Sequence, residues 1–114
     1  MTVHRLPATT VLAPSGELDI AALPELQVRL LPAVRPGAAV VLDLQDVTFL
    51  DSSALALVVA AERRLRASGG SLQLVHVSGT VLRVLRICGL AERLVRAERT
   101  PLPTGWLVLT GDRA

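Results

Sequence analysis

At 114 residues the chain can build one hydrophobic core but not two. Half of it is apolar (51%), yet it holds one Phe, one Trp and no Tyr, so the core must come from Leu, Val, Ile and Ala, and platforms for stacking bases are essentially absent. A formal charge of +2, twelve Arg against ten acids, is no nucleic-acid footprint, and arginines at spacings such as Arg63, Arg64 and Arg66 read as solvated helix faces.

In chain order, Met1–Leu6 and Thr9–Ala13 read as strands, and Gly16–Asp19 continues the second after the Pro14-Ser15-Gly16 interruption. Asp19 stands where a helix cap would, ahead of Ile20–Leu31, whose Leu23, Leu26 and Leu30 share a face and whose Pro24 must fall in the first turn. Pro32, Pro36 and Gly37 close that helix. Val40–Leu44 is the apolar run of a strand covered on both faces. A short acidic connection follows, and then a helix capped by Asp51 or Ser52, with Leu55, Val58, Val59 and Leu65 at helical spacing and Ser68-Gly69-Gly70 as its stop. Leu72–Val77 is the next strand. Ser78 or Thr80 caps a third helix with a wide stripe of Val81, Leu82, Val84, Leu85 and Ile87, ended by Gly89. Leu90–Arg99 reads as a shorter amphipathic helix, and Trp106–Leu109, past Pro101 and Pro103, as an added strand with Trp106 packing on it. Alternating strands and helices give the α/β class with a mixed sheet.

The segment Val40–Leu65 organises the rest. A parallel strand feeding a helix delivers their connection to the carboxyl edge of the sheet, where open α/β folds place working groups. Asp51, Ser52 and Ser53 are thereby presented to a partner. One of the three must cap the helix; that leaves at least one hydroxyl without a structural role. A phosphate there would add roughly −1.5 to −2 charge. It would meet the favourable end of the helix dipole, so its effect should fall on a docking partner rather than on the fold.

The run DLQDVTFLDSSALALVV resembles the signature of the STAS domain family, in particular its bacterial anti-sigma factor antagonists. SGELD and Gly69–Leu94 extend the resemblance to about residues 10 to 98 of a single domain spanning 1–114. The resemblance implies a STAS-like α/β fold, a mixed β-sheet of four to five strands with about four α-helices. It also implies a partner switch. The unmodified protein would bind an anti-sigma factor that is a serine kinase; phosphorylation at Ser53, less readily at Ser52, would release it, and a phosphatase would restore it. Asp19, Asp51, Ser52, Ser53 and Ala54 would form the docking face. Ala54 stands where the family usually has glycine, which would crowd a kinase's approach to Ser53. Leu55-Ala56-Leu57 also resembles STAS subunits of lipid-transport ATPases, so a non-phosphorylated adaptor is the alternative.

Catalysis is the remote reading. A serine nucleophile needs a base, and His76, at a strand end, is the histidine able to approach Ser53; but no Gly-x-Ser-x-Gly elbow accompanies it. No ligand spacing for a metal and no phosphate loop are present, so no cofactor is expected. Cys88, before Gly89, reads as a small buried apolar residue, and a single cysteine excludes an internal disulfide. No stretch approaches the roughly 20 apolar residues of a membrane span, and no signal peptide opens the chain. A cytoplasmic protein, monomer or weak dimer, without membrane insertion or direct nucleic-acid contact, is the expectation.

Overall fold

The computed structural model describes residues 2–6 and 9–95. Six strands and four helices follow in the order β1 (Thr2–Leu6), β2 (Thr9–Ala13), β3 (Ser15–Leu18), α1 (Leu23–Leu30), a 3-10 turn (Leu31–Ala33), β4 (Ala39–Asp43), β5 (Asp46–Leu50), α2 (Ser52–Ala67), β6 (Ser71–Val75), α3 (Gly79–Ile87) and α4 (Ala91–Leu94). The main sheet has the order β1-β2-β4-β6, antiparallel between β1 and β2 and parallel elsewhere; β3 and β5 form a second, two-stranded parallel sheet. This is the mixed α/β architecture expected, with one addition. The acidic connection after β4 is itself a strand. Of β5, only Val47 and Leu50 are buried, and its partner β3 is joined through a register shift at Gly16/Glu17. A pairing made thirty residues away through a bulge leaves no alternation to read.

All four helices pack on one face of the main sheet. Leu26 and Leu30 of α1, Val58 and Leu65 of α2, Val81 and Leu85 of α3 and Leu94 of α4 share a core with Leu12, Val40, Leu42, Leu72 and Leu74. Val11, Val41 and Val75 form a separate cluster. The Val40–Leu44 run therefore keeps its expected two-sided burial.

Local signals decide the helix ends. Asp51 caps α2 and Ser78 caps α3, each accepting the backbone N–H three residues on, at 3.0 Å and 3.2 Å. α2 ends in a Schellman motif: the Gly70 N–H reaches the Leu65 carbonyl at 2.7 Å and Gly69 (φ 84°) donates to Arg66. Asp19 does not cap α1, which begins at Leu23 behind Ala22; instead its carboxylate accepts the Ala22 N–H at 3.1 Å, closing a turn before the helix. The reason lies one residue on: Pro24, in the first turn as required, fixes where the helix can begin. α4 is four residues long, and Val95 leaves it to bridge Leu74 in parallel; Arg96–Arg99 of the expected longer helix, like Trp106–Leu109, lie outside the described residues. The buried Glu62 ties α2 to α4, its Oε1 lying 3.3 Å from Arg93 Nε.

Two apolar expectations on α3 change. Only Val81 and Leu85 of the wide stripe are buried; Ile87 is 79% exposed, being rotated about 200° from Leu85. Cys88 is exposed rather than buried, because it closes the helix beyond the reach of the core.

Gly70 sets how closely α2's exit can approach β4. A Cβ there would lie 2.2 Å from the Ala38 carbonyl oxygen and 3.0 Å from the Ala38 nitrogen, both backbone atoms that cannot swing aside. Gly70→Ala is expected to lower stability by about 3 kcal/mol. Gly69→Ala, with open space around it but a left-handed backbone, should cost about 1–2 kcal/mol. Urea midpoints of the two variants check the order; equal losses would refute the close-approach argument.

Candidate docking site at the α2 helix mouth

The site is assembled where β5 hands the chain to α2. The Asp51 N–H donates to the Leu18 carbonyl at 3.1 Å, which closes the β3–β5 pair at the mouth of the helix. From there the Asp51 carboxylate gathers donors. Ala54 N–H reaches Oδ1 at 3.0 Å and the Ser53 hydroxyl reaches the same oxygen at 2.7 Å. These two, with smaller contributions from the backbone N–H groups of Ser53 and Ile20, hold the Asp51 carboxyl below its usual range. The sign is fixed by that direction. The cap is in place at and above ordinary carboxylate pKa values and is lost only as pH falls through the lowered value.

The five candidate residues fare differently. Asp51, Ser52 and Ser53 stand together on the first turn, with Ser52 exposed and Ser53 half-buried. Asp19 is half-buried in the turn after β3 and directly follows Leu18, whose carbonyl accepts the Asp51 N–H, so the structure brings Asp19 to the same mouth. Ala54 is fully buried in the main core. Its methyl points inward, away from the face that a kinase would approach, so the crowding expected of this residue falls on the core instead. The i to i+4 spacing of Ala54 and Val58 on the core side already carried that signal.

His76 meets Asp43 rather than completing a nucleophile pair. Its Nδ1 lies 3.1 Å from Asp43 Oδ1, an oxygen that also accepts the Gln45 N–H at 3.0 Å. Asp43 is fully buried at the carboxyl end of β4, and His76, just past β6, adopts a left-handed φ of 54°. The pair clasps the ends of two neighbouring strands. Sequence reading placed His76 at this edge but missed Asp43, since a carboxylate ending an apolar strand gives no sign of its partner.

Among the described residues, no group of three or more His, Cys, Asp or Glu could hold a metal ion, and no helix is long and apolar enough to cross a membrane. A helix mouth carrying a cap carboxylate and two serines, on an α/β sandwich, can receive a modification or a partner.

Comparison with known proteins agrees with that class. The family model described as "Mlab, STAS domain" matches residues 1–96, and the chain belongs to the STAS domain family. It is 33% identical over 78 residues to the anti-sigma-B factor antagonist of Bacillus subtilis, a match that covers 68% of this chain and 72% of that protein. Among solved structures it resembles the anti-sigma factor antagonist SpoIIAA in its unphosphorylated form, with a TM-score of 0.71, 28% identity, and coverage of 85% of this chain and 88% of that one. It also resembles the Bacillus cell fate determinant SpoIIAA in its phosphorylated form, with a TM-score of 0.66, 27% identity, and coverage of 85% and 91%.

Proposed function

We propose that this protein is an anti-sigma factor antagonist that binds an anti-sigma factor with serine kinase activity and is released by phosphorylation at Ser53. The observation that carries the reading is the Ser53 hydroxyl at the mouth of α2, reachable from solvent and oriented by its 2.7 Å bond to Asp51. The kinase transfers the terminal phosphoryl group of ATP: the bond to ADP breaks, the Ser53 Oγ–P bond forms, and the hydroxyl proton passes to a base on the kinase. With that proton goes the hydrogen bond to Asp51. A dianion then stands beside a carboxylate at 2.7 Å oxygen spacing, and the two must part. The helix tolerates this, because Ala54 N–H still engages Asp51 and the free N–H groups of the first turn favour negative charge. The solved SpoIIAA neighbours, which this chain resembles in both phosphorylation states, support a fold that persists through the change. What changes is the surface, and a docked partner is repelled. A phosphatase resets the switch.

Incubation with a panel of anti-sigma kinases and ATP, followed by intact-mass measurement, tests this. One added phosphate is expected for the unaltered chain and for Ser52→Ala, and none for Ser53→Ala. No modification by any of them, or modification retained in Ser53→Ala, would sink the assignment. The adaptor reading, a non-phosphorylated STAS subunit of a lipid-transport or signalling complex, draws support from the description of the matching family model. It predicts co-purification with an ATPase and permease, and no phosphate in either variant.

A further inference from the structure

Five large apolar side chains are exposed among the described residues, and two of them belong to the segments that meet at the helix mouth. Ile20, 72% exposed, follows Asp19, two residues past the Leu18 carbonyl that accepts the Asp51 N–H. Phe49, 45% exposed, stands on β5 two residues before Asp51, roughly 7 Å along the strand. The segments are zipped together, Glu17 beside Phe49 and Leu18 beside Leu50, with the Asp51 N–H on the Leu18 carbonyl. The chain's only Phe is thus left half in water on the strand whose partner segment leads into the exposed Ile20. Exposed apolar surface rimmed by polar residues is the pattern of an interaction site.

Charge says what kind of surface. The segments that meet at the mouth, residues 15–25 and 46–57, hold Glu17, Asp19, Glu25, Asp46 and Asp51, five of the ten acids, and none of the twelve arginines. Arg83 and Arg86 lie on the exposed side of α3, which packs against β5, so the basic part of the surface begins there. A second copy of this chain, docking the same face across a two-fold axis, would oppose acid to acid. An anionic lipid surface would repel it for the same reason.

We infer that Ile20 and Phe49 are the apolar anchors by which this face binds its protein partner, and that the partner offers an apolar pocket ringed by basic side chains. This rests on the partner-switch reading and names the chemistry of the partner. It also accounts for the leverage of the switch, since a phosphate on Ser53 would add its charge at the mouth where the two anchor-bearing segments meet, beside Asp51.

The test uses the kinase that phosphorylates Ser53 in the experiment above, without nucleotide, and measures its affinity for the full chain. Ile20→Ser and Phe49→Ala are each expected to weaken binding at least about tenfold, as central anchors do. Phe49→Leu, which keeps apolar bulk, should lose about threefold. Val28→Ser, equally exposed (68%) but near the far end of α1, should change it less than about twofold. Raising salt from about 0.1 to about 1 M, which shortens screening from roughly 10 to roughly 3 Å, should weaken the unaltered complex at least tenfold. Circular-dichroism melts confirm that each variant is folded. Unchanged affinity for Ile20→Ser and Phe49→Ala, a loss with Val28→Ser as large as theirs, or salt-independent binding overturns the inference while leaving Ser53 phosphorylation intact. If no kinase modifies Ser53, the underlying reading falls first and the inference with it.

Discussion

Phosphorylated at Ser53, the protein is expected to bind its anti-sigma kinase at least about 100-fold more weakly than the unmodified form, because juxtaposing like charge or stranding a desolvated charge costs several kcal/mol. The magnitude follows from the geometry of the mouth. Ser53 Oγ already lies 2.7 Å from Asp51 Oδ1, so the new dianion cannot be relieved by its nearest neighbour and must project towards the partner. Neither segment building the mouth carries a base to neutralise it. Calorimetry on separated phosphorylated and unmodified protein checks the ratio, and their melting curves check that the fold is common to both. Equal affinities would leave phosphorylation without a consequence at this surface. Ser53→Asp should reproduce only part of the loss, since one carboxylate carries less charge and fewer acceptor oxygens than a phosphate.

Asp43→Ala should be the most damaging single change at the carboxyl edge, lowering stability by about 2–4 kcal/mol. The Asp43 side chain is fully buried, and removing it strips the Gln45 N–H and His76 Nδ1 of their acceptor at the point where β4 turns into β5. A cavity between β4 and β6 adds to the loss. In a domain of this size that corresponds to a melting point lower by roughly 10 °C or more. Asp43→Asn keeps an acceptor oxygen in the same shape and should lose about half as much. His76→Ala removes only the partly exposed partner and should lose less again, although alanine recovers nothing at a left-handed position. Denaturant titrations of the three variants give the order, and a loss for Asp43→Ala below about 1 kcal/mol would show that the clasp contributes little.

Most of the helical framework could be read from local chemistry. Asp51 and Ser78 are caps because short oxygen-bearing residues answer the free N–H groups of a helix start, and Gly69-Gly70 and Gly89 are stops because they take or follow left-handed backbone. These rules act within four or five residues, so the chain alone suffices for them. The same locality put Ser52 and Ser53 on the first turn of α2, the part of the candidate docking site that was legible in advance.

Contacts between distant segments settled the rest. Whether DVTFL is a connection or a strand depends on β3, thirty residues earlier, pairing with it through a bulge. Whether Ala54 faces a partner or the core depends on how α2 lies on the sheet, and it faces the core. Cys88 and Ile87 are apolar enough to be interior, but the core does not extend beneath them. Asp43 found His76 only because β4 and β6 are neighbours. Capping and helical periodicity are written in adjacent residues; register, facing and burial are properties of surfaces brought together by folding, and that is where the candidate docking face took its shape.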